Sequence, residues 1–453
     1  MRRAAALFIL LTASTLAAQG PRQPDWSTLE DETLRHFQAI LRFDTSDPPS
    51  TPPGGEKPAV DYLKLILDKE GIATQVFALE PNRPNLVARL KGNGSKRPLL
   101  LMGHTDVVNV DPKKWTHPPF SATRQNGYVY SRGTVDDKDN VTAVLMTMLM
   151  LKRLNVPLDR DVIALFEAGE EGTTRVGIQF MVNQHFSAID SEFCYAEGGG
   201  VTRQAGQVKF ASVQTLEKIP RAILLTARGV AGHGSVPLQT NAIVHLSDAV
   251  AKVGKWVPPI RPNETTGAYF KRLASISTPE EAERYRNALS TDSKISGPAD
   301  EYFRAHEPRH ASMLRTSVSP NIFSGGYRVN VIPSEASATL DVRMLPDEDP
   351  NAFLEQVKKI VNDPAVEVTF TARDVRPGGT TRLNTEAFGV IEANVTKHYK
   401  SITLPTMSTG ATDIEDGPKG FGAHSDQERI LESELHRFVR FHYDIVADLV
   451  RTN

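Results

Sequence analysis

From Asn85 to Gly200 the chain repeats one pattern: a short apolar run ends in a polar cluster, and a stretch of helical spacing follows. The runs are "NLVARL", "RPLLLMGHTDVV", "RDVIALFEAGEE" and "EFCYAEGGG", with helices predicted from Asn140 and from Arg175. Such runs are short for helices and read as buried strands, so the alternation predicts an α/β fold. Val141, Val144, Leu145, Met148 and Leu149 recur at helical spacing, which predicts a helix with one buried face. In sheets of this kind ligands gather beyond the carboxyl ends of the strands. "GHTD", "EAGEE" and "AEGGG" all stand there.

Past Gln214 the pattern changes. "RAILLTARGV" reads as a strand, "NAIVHLSDAVAKVGKWV" as a helix, "NIFSGGYRVNVIP" and "ASATLDVRML" as two strands, "PNAFLEQVKKIV" as a helix and "AVEVTFTA" as a strand. That β-α-β-β-α-β order is a ferredoxin-like α+β unit. A long polar stretch, 258–317, separates its first helix from its second strand and is read as an insertion covering or flanking the site, with a helix in "TPEEAERYRNALS". After Arg373 the α/β character resumes and ends in an amphipathic helix around "ESELHRFVRFHYDIVADLV". The expected organisation is therefore a first part of one domain at 22–214, an inserted smaller domain at 215–373, and the rest of the first domain at 374–453.

The chain's 453 residues, 40% hydrophobic and 23% charged, suit a soluble protein of two or three domains. A net charge of -2 offers nothing that favours nucleic acid or an anionic membrane as partner. "MRRAAALFILLTASTLAAQG" carries two arginines, an apolar core from Ala4 to Leu11 and small residues up to Ala18. Residues 1–18 read as a signal peptide for a secreted or periplasmic protein, with no membrane span expected after its removal. Cys194 is the only cysteine, so no intrachain disulfide can form.

In "GHTDVV", His104 and Asp106 lie two residues apart, and a strand end would project both to one side. A metal-bound imidazole is commonly held by a carboxylate in this way. Further candidates are Asp136 and Asp137 in "SRGTVDDKD", Glu170 and Glu171 in "EAGEEGT", Glu197 in "YAEGGG" and His424 in "GFGAHSDQ". Any one acidic pair is ordinarily a solvated turn or helix start. Metal-assisted hydrolysis needs ligands from several strand ends and a base beside the bound water, and these residues together meet that need. "HEPRH", at His306–His310, matches the spacing of a zinc-binding helix, but Pro308 breaks such a helix unless it sits in the first turn.

Taken in order, "GHTDVV", "GTVDDKD", "EAGEEGT", "AEGGG" and "GFGAHSD" resemble the co-catalytic zinc metallopeptidase family of carboxypeptidase G, aminoacylase and succinyl-diaminopimelate desuccinylase, peptidase family M20. The resemblance implies a zinc-peptidase-like catalytic domain with a mixed sheet, interrupted by a lid or dimerisation domain, and two zinc ions per chain. It implies that His104 and Glu197 hold one zinc, that His424 and Glu171 hold the other, that Asp136 bridges them, and that the Asp136–Asp137 peptide bond is cis. Glu170 becomes the general base and Asp106 the residue that orients the His104 ring. His233 in "GVAGHGSVP" resembles the family's oxyanion-stabilising histidine, often supplied by the other subunit. Asn330 in "RVNVIP" and Arg343 in "LDVR" resemble lid residues that hold the substrate's carbonyl or carboxylate. Glu at position 197 resembles the carboxypeptidases and acylases more than the aminopeptidases.

The expectation is an exported dinuclear zinc hydrolase cutting an amide or peptide bond beside a free carboxylate. Its substrate is a small peptide or an N-acyl amino acid, and the family resemblance implies a homodimer, whose usual lid contact the long insertion at 258–317 would alter. The leading reading is a carboxypeptidase-like metallopeptidase and the alternative an N-acyl amino acid amidohydrolase; behind them stand an aminopeptidase and a non-catalytic binding protein, the last opposed by the presence of every ligand and the base.

Overall fold

The computed structural model describes residues 23–48, 54–204, 206–371, 379–408 and 422–452. The expected signal peptide at 1–18 and the expected boundary at 373/374 lie outside them. Among the described residues no helix is long and apolar enough to cross a membrane.

A mixed five-stranded sheet runs in the order Ala73–Ala78, Pro84–Leu90, Val162–Glu167, Leu99–His104, Phe193–Tyr195. Leu99–His104 is parallel to both of its neighbours, whereas Pro84–Leu90 is antiparallel to both of its own. All six residues of "VIALFE" are buried, as expected of a strand covered on both faces. The helix Lys138–Arg153 packs between this sheet and the last helix, Glu432–Val450. It is buried from Lys138 through Leu151, not along one face only, because both sides meet protein. Its apolar stripe showed only one of those contacts.

Two further sheets follow. Gly200–Gln204, Gln207–Glu217 and Ile402–Ser408 form a three-stranded sheet, its last two members parallel. An antiparallel sheet has the order Ser317–Gly325, Glu335–Met344, Ile219–Arg228, Val366–Phe370, covered by the helices Ala242–Lys255 and Pro350–Val361. Along Glu335–Met344 every second residue is buried, so Ala338, Leu340 and Val342 face the helices. This is the β-α-β-β-α-β order read from the sequence. "NIFSGGYRVNVIP" is not one strand, however. It breaks at Gly326, whose φ of +72° suits glycine, and the separate pair Val331–Ile332 joins Gly232–His233.

The stretch 258–317 forms the helices Glu264–Ala274, Pro279–Asn287, Ser293–His306 and Pro308–Met313. Despite its polar composition it has a core, in which Tyr269, Phe270, Tyr285 and Phe303 join Leu216, Leu404 and Met407 of the three-stranded sheet. Pro308 opens a new helix, and His310 bonds Glu307 at 2.5 Å and the Tyr269 hydroxyl at 3.0 Å. "HEPRH" is thus a packed corner and not a zinc site.

His442, on the last helix, is 1% exposed, with Nδ1 2.8 Å from the Thr147 hydroxyl. Burial lowers its pKa from 6.5 to about 3. The folded protein therefore keeps this ring neutral while the unfolded chain protonates it below pH 6.5. Its contribution is whole above that pH and is lost as pH falls toward 3. Between about pH 8 and pH 5, wild type should lose about 2 kcal/mol more unfolding free energy than His442→Gln, as measured by urea titration. Parallel pH curves for the two proteins contradict this.

Candidate metal centre

Three loops at the carboxyl ends of adjacent strands and one helix start converge here. His104 ends the strand Leu99–His104, beside Glu167 in register at the end of the central strand. Glu170 and Glu171 follow that neighbour after a turn at Gly169, where φ is +72° and a Cβ would lie 2.7 Å from the Thr173 carbonyl oxygen. Glu197 follows Phe193–Tyr195, and Asp136 and Asp137 precede the helix Lys138–Arg153. His424 comes just before the short strand Arg429–Leu431. The Asp136–Asp137 peptide bond is cis.

Asp136 stands between the two histidines. His104 Nε2 is 2.9 Å from Asp136 Oδ1, and His424 Nε2 is 3.0 Å from Asp136 Oδ2. The same His104 nitrogen is 3.5 Å from Glu197 Oε2, and the same His424 nitrogen is 3.2 Å from Glu171 Oε1. Each imidazole thus meets one shared and one separate carboxylate. Bonds of about 2.0–2.2 Å to a tetrahedral zinc place donor atoms roughly 3.3–3.6 Å apart, close to these separations.

The electrostatics point the same way. Hydrogen bonds from Asp136 and then Glu171 push His424 up to about 10. Burial opposes protonation of His104, but Asp106, Asp136 and Glu197 outweigh it and hold the ring well above its usual value. Burial followed by neighbouring carboxylates raises Glu170 to about 7 and carries Asp137 well above the carboxylate range. Among the described residues the two imidazoles alone offset these crowded acids, and divalent cations would supply that positive charge in their place. The donor set therefore fits two metal ions.

Asp106 does more than was expected of it. The His104 ring is held chiefly by the Asp106 backbone carbonyl, 3.0 Å from Nδ1, with carboxylate Oδ1 at 3.6 Å. The carboxylate itself accepts the backbone N–H groups of Glu170 at 3.1 Å and Glu171 at 2.9 Å. It thereby fixes the base candidate and one ligand relative to the other ligand's strand. Asp137 acts likewise, its Oδ2 accepting the His104 backbone N–H at 3.0 Å.

Two further clamps escaped the sequence reading. Buried Glu428 accepts Arg132 Nη1 at 2.6 Å and the Val135 N–H at 2.8 Å, tying the Asp136 loop to the segment that carries His424. Asp47 accepts the Thr173 N–H at 3.0 Å, and buried Arg83 joins Asp47, Glu56 and the Thr173 hydroxyl. "SDQER" and "PNRPN" look like ordinary surface loops, so no local pattern marked them.

The remaining candidates lie apart from the cluster. His233 and Asn330 are exposed on the paired segments beside the antiparallel sheet, where His233 Nδ1 lies 2.7 Å from the Ser235 hydroxyl. Arg343, opposite Pro220 and Ser317, donates from Nε to Asp341 at 3.1 Å. Among the described residues no hydrogen bond or ion pair joins these three to the ligands.

Residues 100–448 match the sequence model described as Peptidase family M20/M25/M40. The chain is 29% identical over 339 residues to a protein of Dictyostelium discoideum named probable carboxypeptidase S-like 2, covering 73% of this chain and 64% of that one. It is 28% identical over 328 residues to the N-fatty-acyl-amino acid synthase/hydrolase of Homo sapiens, covering 70% of this chain and 64% of the relative. The chain thus spans less than two thirds of either relative. In fold it is similar to an M20 family metallo-carboxypeptidase from Sulfolobus solfataricus, with a TM-score of 0.65, 20% identity, and coverage of 92% of this chain and 98% of that one.

If the Asp106 carboxylate holds the Glu170–Glu171 turn, Asp106→Asn should weaken zinc binding by about 10- to 100-fold, the usual effect of losing such a support. Competition with a chromophoric chelator measures this, with circular dichroism as the folding check. Unchanged affinity would show that the turn stands without Asp106.

Proposed function

The chain belongs to peptidase family M20/M25/M40, a family of metal-dependent hydrolases, and we propose that it is an exported dinuclear zinc hydrolase that cuts an amide or peptide bond beside a free carboxylate. The observation that carries this reading is the division of Asp136, one oxygen to each histidine, at 2.9 and 3.0 Å. In this reading His104 and Glu197 hold one ion, His424 and Glu171 hold the other, and Asp136 belongs to both. Two zinc ions held by these residues would supply Lewis-acid polarisation of the scissile carbonyl and lower the pKa of a water between them.

Glu170 follows the Gly169 turn beside a ligand but outside both ligand pairs. Burial raises its pKa in the metal-free site, and in this reading its carboxylate takes a proton from the attacking water and releases it to the departing amide nitrogen. Asp106 and Asp137 keep the two sides of the site in register. Arg343 is the candidate for the substrate's carboxylate, because its planar guanidinium suits a two-point grip and its Asp341 pair is one third exposed. His233 and Asn330, both exposed, fit a site completed by a second copy of the chain. The names of the relatives, a carboxypeptidase and an N-fatty-acyl-amino acid hydrolase, support a substrate with an amide bond and a carboxylate. Export rests on the N-terminal "RR", apolar core and small-residue run.

Glu170→Gln should retain two zinc equivalents and lose turnover by a factor on the order of a hundred or more, measured with N-acyl amino acids and dipeptides. Loss of metal from this variant but not from Glu171→Gln would exchange the two roles, and full activity of chelator-stripped wild type would overturn the reading. Mixing Glu170→Gln with His233→Ala protein should restore part of the activity if subunits share a site. No recovery in a verified mixed dimer assigns His233 to its own subunit or to no catalytic part.

A further inference from the structure

Lys218 joins the three-stranded sheet to the antiparallel sheet, following the strand Gln207–Glu217 and preceding Ile219–Arg228. Its backbone N–H donates to the Ser408 carbonyl at 3.0 Å. Its ammonium donates to the Ser312 hydroxyl at 3.1 Å and to the Ser317 hydroxyl at 3.2 Å. Ser312 belongs to the last helix of the insertion, and Ser317 opens the edge strand of the antiparallel sheet, opposite Arg343. One residue thus touches three parts of the fold where they meet, and it is 5% exposed.

A lysine this buried is ordinarily paired with a carboxylate. Among the described residues Lys218 forms no ion pair, and its partners are the two hydroxyls. Its charged neighbours are the guanidinium groups of Arg315 and Arg343, which add to burial in bringing its pKa down to about 7. Arg315 is 4% exposed and gives Nη2 to Asp300, but its Nε and Nη1 find no acceptor among the described residues. Other acids of this region are engaged elsewhere: Asp341 pairs with Arg343, and Glu348 with Arg261 and the Thr316 hydroxyl.

Buried N–H groups without an acceptor are costly, and where several gather a water or an ion answers them. Water would accept from these donors and leave the ammonium's charge uncompensated. An anion does both. Each serine hydroxyl accepts from Lys218 and still has its own hydrogen to donate, so the set offers donors of three kinds to one point. A substrate's carboxylate already has a candidate in Arg343, which is one third exposed, whereas Lys218 and Arg315 are nearly closed off from solvent. Groups so enclosed suit a small ion.

We propose that Lys218 Nζ, the unpaired N–H groups of Arg315 and the hydroxyls of Ser312 and Ser317 bind a small inorganic anion, which fastens the antiparallel sheet and the helical insertion to the three-stranded sheet. The assignment is independent of the hydrolase reading above.

The test titrates the zinc-loaded protein with chloride, bromide or phosphate at constant ionic strength, gluconate being the balancing anion, and records the thermal midpoint and the heat of binding. The midpoint should rise with the logarithm of anion concentration above the dissociation constant. Lys218→Met keeps the bulk of the stem and removes the charge. It should weaken anion binding by about tenfold or more and, in gluconate alone, melt above wild type, because an unpaired buried ammonium is gone. Arg315→Lys, which leaves Asp300 a cation, should weaken binding likewise. In crystals grown with bromide, anomalous diffraction should place a bromide beside Lys218 Nζ in wild type and none there in Lys218→Met. Equal responses of wild type and Lys218→Met, or bromide found only elsewhere, as at the metal centre, overturn the proposal. A midpoint indifferent to all three anions overturns it as well. Displacement of this bromide by an N-acyl amino acid bound to Glu170→Gln protein would make the site a subsite for the substrate's carboxylate and overturn a separate ion.

Discussion

The carboxylate of Asp136 is shared between two imidazoles, and the surrounding architecture serves to keep that sharing possible. Crowding acids into a site where His104 is 3% exposed costs free energy, which rises as positive charge is withheld. Loops alone would relax by moving the acids apart. They are held instead by hydrogen bonds that run across elements distant in sequence. Asp106 grips the Glu170–Glu171 turn, Asp137 grips the His104 backbone, and Glu428 links the Asp136 loop to the His424 segment. Each support is a carboxyl group whose oxygens accept N–H donors, and in this way it positions the centre.

The strands supply the other half of the constraint. His104, Glu167 and the turn after it are in register because Leu99–His104 and Val162–Glu167 pair in parallel, with their carboxyl ends together. Lys138–Arg153 then brings Asp136 and Asp137 to the same edge, since its start lies against the end of the His104 strand: Asn140 Nδ2 donates to the Met102 carbonyl at 2.8 Å. A cavity adjoins this edge, with Asp136, Asp137 and Glu197 among its lining residues.

Much of this was legible in the chain. Apolar runs ending in "GHTD", "EAGEE" and "AEGGG" predicted strands with ligands at their ends, because periodicity reports burial directly. The β-α-β-β-α-β order was readable for the same reason. The helical insertion was harder: its aromatic residues are spaced through a charged background, and the surface they cover, Leu216, Leu404 and Met407, lies on strands far away in sequence. Glu428, Asp47 and Arg83 carried no signal, since a buried charge differs from an exposed one only in the partner it finds across the fold. The interruption at Gly326 likewise depended on the pairing of Val331 with His233, which no local pattern announces.

The central claim is that Asp136 bridges two zinc ions. Crystals of the zinc-loaded protein, with diffraction recorded on both sides of the zinc absorption edge, test it most directly. The account predicts two anomalous peaks about 3.5–4 Å apart, one beside His104 and Glu197 and the other beside His424 and Glu171, with an Asp136 oxygen on each. A single peak, or two peaks of which only one touches Asp136, would contradict it.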